Sequence, residues 1–305
     1  DGRRVVFTAL DRLYIADLPA GRGTKKERPA AGGGTGGGAA ATPAPEPPQT
    51  PPATIRNARR MTSSTDVEHA PVWSPDGQWV AYVTWNDETG GDIYRLRADG
   101  SAPPQKLTPV SAFFDKITYS KDGTRIIGVR GSKMHRMRTL EDFGNHSATA
   151  ELEYIWLPAT GGVPARIAWV ASGATQQGRN APHTGPDPDR IYVWAGSEGL
   201  LSMRFDGTDI KPVVRVTAPA PPGGGGGGAP DEVVLSPDGK HALLRANRNV
   251  FMVTVPPIGG TVPTISAATS SSVPTWRLTR VGGDFVGWTH DSSQAFYSIG
   301  RSFFL

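Results

Sequence analysis

The sequence predicts an all-β fold, a β-propeller of four-stranded antiparallel blades, from three observations. Residues 71–108 contain four short strand-like runs separated by turns. Looser copies of this unit, each about forty residues long, recur along the chain. The clear copies share a turn in which serine is followed by aspartate and glycine, at 74–77, 120–123 and 236–239. Repetition of one hairpin-rich unit at this length is typical of propeller blades.

In the unit at 71–108, hereafter the reference unit, individual residues indicate each strand and turn. Its strands are predicted at 72–73, 79–85, 93–96 and 105–108. Residues 79–85 alternate aromatic and β-branched side chains, which is the period of a half-buried strand. In the first turn, Pro75 presets φ and Gly77 supplies the positive φ that a tight turn needs. The same logic locates the strands of the other units.

Six units follow one another along the chain. The first unit has predicted strands at 4–9, 12–18 and 59–62, and the reference unit is the second. The third has strands at 116–120, 125–130, 153–157 and 164–168, and the fourth at 191–195, 200–205 and 213–217, with an opening at 181–183. The fifth has strands at 232–235, 241–246, 250–255 and 276–279, and the sixth at 284–289, 294–299 and 302–305. The first unit lacks its opening strand and the last its closing strand. We therefore expect residues 1–305 to be one propeller domain, cut from a longer protein.

Three segments interrupt the blades. Residues 21–54 are rich in glycine, proline and alanine, cannot bury enough apolar surface to order themselves, and are predicted to be a disordered insertion. Residues 219–230, with six consecutive glycines, are predicted to be a flexible loop. Residues 132–150 form a loop long enough to be either functional or disordered.

Composition excludes several function classes. The 32 Lys and Arg residues barely outnumber the 28 Asp and Glu residues and are not clustered, so nucleic acid is not an expected partner. The absence of cysteine excludes disulfides and thiolate sites. No apolar run approaches the roughly 20 residues that a membrane helix requires, so no membrane span is expected.

The short motifs WSPDG, IY, DG and LT, which lie in this order in the reference unit and recur in part along the chain, resemble the PD40 (TolB-like) propeller repeat of bacterial envelope proteins. The competing WD40 repeat is disfavoured, because no Trp-Asp dipeptide ends the third strands and no Gly-His opens the blades. Residues 81–96, 187–209 and 277–304 are similar, more narrowly, to the propeller that precedes a metal-dependent (β/α)8 barrel in a bacterial amidohydrolase family.

These resemblances imply a non-catalytic propeller that serves substrate access or partner binding. Its partner would be a C-terminal hydrolase domain of the same chain, whose parent protein uses a divalent metal such as zinc. The alternative is a free-standing TolB-like interaction module that binds an envelope protein. The propeller of a serine peptidase is a third possibility. Either envelope relative implies a periplasmic or secreted location.

The chain itself shows no catalytic, metal-binding or cofactor-binding residues. No two of its histidines lie two residues apart, so the His-x-His zinc pattern is absent: His69, His135, His146, His183, His241 and His290. Ser197 lies between Gly196 and Gly199 but is not followed by a helix, so a hairpin turn is expected rather than a nucleophile elbow. The acidic pairs Asp187/Asp189 and Asp66/Glu68 lack an EF-hand spacing.

Position supplies the remaining functional signal. Loops between second and third strands share one face with the connections between blades, and this face collects 63–70, 86–91, 109–115, 132–150, 171–182 and 196–199. Propeller function usually lies on the face with the longer loops. We therefore predict that Lys133, His135, Arg136 and Arg138 face a partner or substrate, the alternative being a solvated loop. The repeated turn aspartates and most tryptophans are predicted to be structural.

Overall fold

The computed structural model describes residues 3–18, 55–143, 152–168, 180–220, 227–257, 259, 261–267 and 271–305. These residues form six small sheets, which confirms the predicted all-β, six-bladed propeller. The strands are β1 (Arg4–Ala9), β2 (Arg12–Asp17), β3 (Arg56–Arg60), β4 (Val67–Trp73), β5 (Trp79–Trp85), β6 (Ile93–Arg97), β7 (Gln105–Lys106), β8 (Phe113–Tyr119), β9 (Arg125–Gly131), β10 (Glu153–Pro158), β11 (Ala165–Arg166), β12 (Arg190–Trp194), β13 (Leu200–Arg204), β14 (Lys211–Thr217), β15 (Glu232–Leu235), β16 (His241–Ala246), β17 (Asn249–Thr254), β18 (Thr264–Ser266), β19 (Thr275–Arg277), β20 (Asp284–Trp288), β21 (Ala295–Ile299) and β22 (Ser302–Phe304).

Each sheet is one blade. The blades in chain order are β1–β3, β4–β7, β8–β11, β12–β14 with β18, β15–β17 with β19, and β20–β22. The first and last blades have three strands each in the described residues. As predicted, the strands of the first blade match strands two to four of the reference unit, and those of the last blade match strands one to three. The first strand of a complete blade lies nearest the central channel.

The core lies between neighbouring blades. Strand β5 shows why its residues alternate: Val80 and Tyr82 pack into the cluster shared with blade 1, whereas Ala81 and Val83 pack into the cluster shared with blade 3. Further clusters join blades 3 and 4 and blades 4 and 5. Because both faces of a blade are buried, a strand with period two can be apolar throughout.

Blade 4 departs from the predicted pattern. Its innermost element is a single bridge between His183 and Tyr192. At its outer edge, β18 comes from the segment between the third and fourth strands of blade 5 and pairs in parallel with β14. This parallel pair is an exception to the predicted antiparallel sheets. Ile265 explains it, since its side chain is 1% exposed in the core between the two blades.

The predicted loop at 132–150 is partly wrong, because residues Lys133–Phe143 form helix α1. Ser132 begins the helix: its carbonyl accepts from the Arg136 N–H (3.1 Å) and its hydroxyl accepts from the His135 N–H (3.4 Å). A serine directly before a segment that can form a helix is an N-cap signal, and the prediction of a loop did not take it into account.

Two predicted flexible segments lie wholly or partly outside the described residues. These are the insertion at 21–54 and positions 221–226 of the loop at 219–230. The described ends of the second segment are hydrogen-bonded, since the Ala218 N–H donates to the Gly228 carbonyl (2.8 Å). Asn247 Nδ2 likewise donates to the Pro219 carbonyl (2.9 Å). Within the described part of the chain, no helix has the length and apolarity needed to cross a bilayer.

Candidate functional site

The two faces of the propeller are defined by its loops. The top face carries the loops between second and third strands and the connections between blades. The bottom face carries the other two sets of turns, including the Ser-x-Asp-Gly turns. Chain topology fixes this division, because successive antiparallel strands end on alternate faces.

Exposed apolar side chains concentrate on the top face. Among the described residues, large apolar side chains that are strongly exposed occur at Leu10, Val110, Met134, Ile210, Val163, Val281 and Phe285. Five of these lie on top-face loops or at the start of an inner strand, whereas Val163 and Ile210 lie on bottom-face turns. Single exposed apolar residues need no explanation, but a face that collects them is a candidate protein-binding surface.

Two of these residues also have an unfavourable backbone. Leu10 has φ of 50° and is 92% exposed, and Phe285 has φ of 52° and is 83% exposed. A bulky residue in the left-handed region loses about 1–2 kcal/mol relative to its usual conformation. Neither side chain offsets this cost by burial. The same φ recurs at Asn247 in the two-residue turn of blade 5 and at Ala70 and Lys116 on other inner strands, so exposure, and not backbone conformation, places Leu10 and Phe285 in the candidate site.

Inner strands bulge at the mouth of the channel. Ala70, Lys116 and Phe285 all have φ near 50° and all precede the first turn residue of their blade by four positions. The pairing register of β4, β8 and β20 shifts at these positions. A bulge re-aims side chains at a strand end, which is why bulges are common beside functional sites. The residue types at these positions do not indicate the bulges.

Charged groups meet around the bulges. His69 Nε2 lies 3.9 Å from Asp115 Oδ1 and 3.3 Å from the Phe114 carbonyl oxygen, joining blades 2 and 3. In blades 5 and 6, Arg245 lies between two carboxylates, with Nη1 donating to Asp284 (2.9 Å) and Nε 3.8 Å from Glu232. The channel mouth therefore carries both signs of charge.

The pKa of Glu232 depends on burial and on charged groups of its own and other blades. Burial raises the pKa of Glu232, and the positive charges of Arg245 and Lys116 act against this rise. Lys116 belongs to blade 3 and Glu232 to blade 5, so the two groups interact from different blades. The mouth is a mixed-charge ring rather than a single-sign funnel.

Helix α1 places the four predicted contact residues on the top face. Lys133 Nζ donates to the Glu88 carbonyl of blade 2, and Arg138 is exposed. The Arg136 guanidinium lies 4.9 Å from the centre of the Phe113 ring. His135 is half-buried in the first turn of the helix. The structure thus shows where these residues lie, and their role as contacts stays a prediction.

Arg136 is held in a specific environment. Burial lowers its pKa, while the carboxylates of Asp115 and Asp87 act in the opposite direction. Phe113, the ring beneath it, makes an edge contact with Trp85, and Trp85 Nε1 donates to Asp87 (2.7 Å). The helix is therefore anchored to blades 2 and 3 at its N-terminal end, next to the channel mouth.

The repeated turn aspartates are structural, as predicted. Ser74 Oγ donates to Asp76 Oδ1 (2.5 Å), and the same oxygen accepts from the Gln78 N–H (3.0 Å). The hydrogen bond from Ser74 lowers the pKa of Asp76. The same serine or threonine to aspartate bond recurs at Ser120/Asp122, Ser236/Asp238 and Thr289/Asp291.

Contacts between successive turns tie the bottom face together. Lys121 Nζ donates to the carbonyls of Pro186 (2.8 Å) and Pro237 (3.3 Å), which links blade 3 to blades 4 and 5. The Asp238 N–H donates to Ser292 Oγ (3.0 Å) and links blade 5 to blade 6. The turns thus support the ring from below.

Hydrolase constellations are not found in the described residues. No group of three or more His, Cys, Asp or Glu side chains in this part of the chain could hold a metal ion. Ser197 lies in a 3-10 turn, Gly196–Glu198, between strands β12 and β13, as predicted. The Asp189 N–H donates to Asp187 Oδ1 (2.9 Å), so this acidic pair is a turn. Asp66 and Glu68 bond to neighbouring protein groups instead.

The tryptophans link blades or cover blade surfaces, as predicted. Trp288 Nε1 of blade 6 donates to the Val234 carbonyl of blade 5 (3.1 Å). Trp194 Nε1 donates to the Pro230 carbonyl (3.0 Å), and Trp73 packs against the core between blades 1 and 2.

Comparisons with known proteins agree with this architecture. No protein-family model matches the chain, and no curated protein sequence matches it. An oligogalacturonate lyase in complex with manganese is similar in structure, with a TM-score of 0.52 and 13% identity over 99% of this chain and 69% of the lyase.

Two TolB structures also match. A protein assigned as TolB from Agrobacterium tumefaciens has a TM-score of 0.48 and 18% identity over 79% of this chain and 73% of its own. TolB from Acinetobacter baumannii has a TM-score of 0.48 and 16% identity over 83% of this chain and 57% of its own. At these identities similarity concerns the fold, and function has to be inferred from the top face itself.

Proposed function

We propose that this propeller acts by binding rather than by catalysis, and that it docks a protein partner on its top face. The observation that carries the proposal is the asymmetry of its exposed apolar residues. Leu10, Met134 and Phe285 are solvent-exposed on the top face, and two of them are strained. An interface needs such apolar anchors surrounded by polar groups.

Helix α1 supplies the polar part of this surface. Lys133, His135, Arg136 and Arg138 lie on one helix beside the channel mouth and suit an acidic segment of the partner. Opposite charges across an interface raise the rate of association and fix orientation. The mixed charges of the channel mouth, with Lys116 and Glu232, would then select among partners.

The resemblance to PD40 repeats supports a TolB-like module that works in the periplasm or outside the cell. The narrower resemblance of residues 81–96, 187–209 and 277–304 supports a second candidate. In that version the partner is a hydrolase barrel of the same protein, which uses a divalent metal such as zinc, and the propeller controls substrate access.

Charge reversal tests the proposed surface. In the double variant Arg136→Glu/Arg138→Glu, association with an acidic partner should slow by about tenfold or more at low salt, and the difference should shrink at high salt. Arg204→Glu/Arg215→Glu on blade 4 is the matched control. Equal binding by all three proteins would contradict the proposed role of α1.

An amide hydrolysis screen with added zinc separates the two candidates. Residues 1–305 are compared with the complete natural protein. Activity of the complete protein alone would favour the hydrolase version, and activity of neither would favour the free-standing module. Metal-dependent activity of residues 1–305 would contradict a non-catalytic propeller.

A further inference from the structure

A groove runs along the side of the propeller between blades 1 and 2. One wall is the connection from Arg60 to Asp66, and the opposite wall is formed by Gly100, Ala102, Pro103 and Pro104. The floor consists of Tyr82, Thr84, Tyr94 and Leu96. Its volume is about 650 Å³, within the usual range for ligand pockets. The wall at 61–66 belongs to the top-face connection between blades 1 and 2, whereas helix α1 and the exposed apolar residues Leu10, Met134 and Phe285 do not line the groove.

Two tyrosines on the floor present unused hydroxyl groups. Tyr82 is 2% exposed, and its ring stacks on Tyr94 with 5.8 Å between centres. Neither hydroxyl bonds to a described residue, whereas the hydroxyl of Tyr154 donates to the Asn180 carbonyl (2.9 Å). Buried phenols normally have a hydrogen-bond partner, so these two hydroxyls are available to an occupant of the groove.

Both phenols are neutral donors at physiological pH. Burial raises the pKa of Tyr82, and the nearby charge of Glu68 raises it further. Burial likewise raises the pKa of Tyr94. The occupant therefore has to offer hydrogen-bond acceptors, such as carbonyl oxygens.

A carboxylate lies at the top of the groove. Asp66 Oδ1 accepts from Asn86 Nδ2 (2.9 Å), which fixes the orientation of the carboxylate while Asp66 still lines the groove. Glu68 lies beneath, 1% exposed, and bonds to the Leu13 N–H (2.8 Å) and to Thr62 Oγ1 (2.5 Å). Arg60, the cation that also lines the groove, bonds to the Ser64 carbonyl, so Asp66 favours an occupant with a cationic side chain at this end.

We propose that this groove binds an extended, proline-rich peptide that carries a basic residue. Proline-rich peptides adopt the polyproline II helix, which has no internal hydrogen bonds and leaves its carbonyl oxygens free to accept. Such peptides dock on aromatic-lined grooves. Here Tyr82 and Tyr94 supply donors, Pro103 and Pro104 an apolar wall, and Asp66 a partner for the basic residue.

Fluorescence anisotropy with a labelled decapeptide tests the proposal. The probe contains three Pro-Pro-Ala units followed by one arginine. We expect saturable binding to the folded 305-residue chain, with loss of binding when glycine replaces the prolines. Glutamate in place of the arginine should weaken binding at low salt. Equal binding of all three peptides, or binding of none, would overturn the proposal.

Variants locate the site. Tyr82→Phe and Tyr94→Phe should each weaken binding about 2–10-fold, because each removes one donor to the peptide. Asp66→Asn should abolish the preference for arginine over glutamate. Tyr14→Phe is the matched control, since Tyr14 is half-buried in blade 1 and does not line the groove. A control that weakens binding as much as Tyr82→Phe would contradict the site.

Thermal unfolding separates binding from folding. Because the Tyr82 hydroxyl makes no bond to a described residue, Tyr82→Phe should leave the Tm unchanged or slightly raised. A lower Tm would show that the hydroxyl is structural. If a panel of neutral oligosaccharides binds in a Tyr82-dependent way while the peptide does not, the ligand class proposed here is wrong.

Discussion

The two faces of this propeller differ in how far their loops repeat from blade to blade. On the bottom face, one hydrogen-bonded turn recurs in blades 2, 3, 5 and 6 with the same serine or threonine to aspartate bond. On the top face, the loops between second and third strands differ in sequence and range from the short turns of blades 1 and 5 to helix α1 in blade 3. Strained Leu10 and Phe285 lie there without burial.

This difference separates scaffold from function. A structural turn is needed in every blade, so its residues repeat and their polar groups are satisfied. A binding surface is used once, so its residues differ between blades and include exposed apolar positions. Four predictions test this separation, in order of decreasing effect.

The largest effect is expected from His183, which supports the interior of blade 4. Its Nε2 accepts from the Leu235 N–H (3.0 Å), and burial lowers its pKa from 6.5 to about 4. The folded protein therefore disfavours the protonated form. As pH falls from 6.5 to about 4, protonation of the unfolded chain should reduce the free energy of unfolding by about 3 kcal/mol.

Urea denaturation across this pH window, in wild type and in His183→Gln, checks the prediction. Glutamine keeps an acceptor but does not titrate, so the variant should lose most of the slope. His290→Gln, at an exposed position, is the control for replacing a histidine by glutamine. An unchanged slope in His183→Gln would show that another group is responsible.

Gly239 tests the contact between bottom turns. It has φ of 76°, and an added Cβ would lie 3.0 Å from Pro186 Cγ of the neighbouring blade. Gly239→Ala should therefore lose about 2–3 kcal/mol of stability, since backbone strain and a clash add together. Gly77→Ala is the control, with φ of 67° and no atom within 4 Å, and should lose only about 1 kcal/mol. Equal losses in chemical denaturation would contradict the role of this contact.

Asp76 tests the turn hydrogen bonds. Asp76→Ala removes the acceptor for Ser74 Oγ and the Gln78 N–H and should cost about 1–2 kcal/mol at pH 7. Because the folded pKa of Asp76 is below 3.8, this difference should be full above that pH and disappear as pH falls through the folded pKa. A stability difference that does not diminish as the pH falls further below 3.8 would contradict this interpretation.

Leu10 gives the smallest effect and the opposite sign. Asparagine tolerates the left-handed conformation better than leucine, so Leu10→Asn should raise stability by about 0.5–1 kcal/mol. The same change should weaken partner binding, because it removes an exposed apolar anchor. Leu10→Asn that lowers the Tm would show that Leu10 is structural after all.

The sequence predicted the scaffold better than the site. Strands 4–9 and 79–85 agree with the structure residue for residue, since turn chemistry and period-two patterns are local signals. Helix α1 was missed because its predicted segment was judged as a blade loop, although Ser132 marked its start. The parallel strand β18 depends on a pairing between blades 4 and 5 that no local pattern encodes.

The bulges at the channel mouth were missed for a similar reason. Bulges at Ala70, Lys116 and Phe285 follow from pairing register and backbone conformation, which the residue types at these positions do not reveal. Their common distance from the turn becomes visible only after the blades are aligned. The exposed apolar set likewise needs burial values, because Leu10 and Phe285 occur in runs that are otherwise strand-like.

Site-specific photo-crosslinking in the native host tests the central claim most directly. A photoreactive amino acid is placed at Leu10 and Phe285 on the top face, and at Val163 and Ile210, which are exposed apolar positions on the bottom face. The account predicts one discrete adduct, shared by the two top-face positions and absent from the two bottom-face positions. The same adduct from Val163 or Ile210, or none from Leu10 and Phe285, would contradict it.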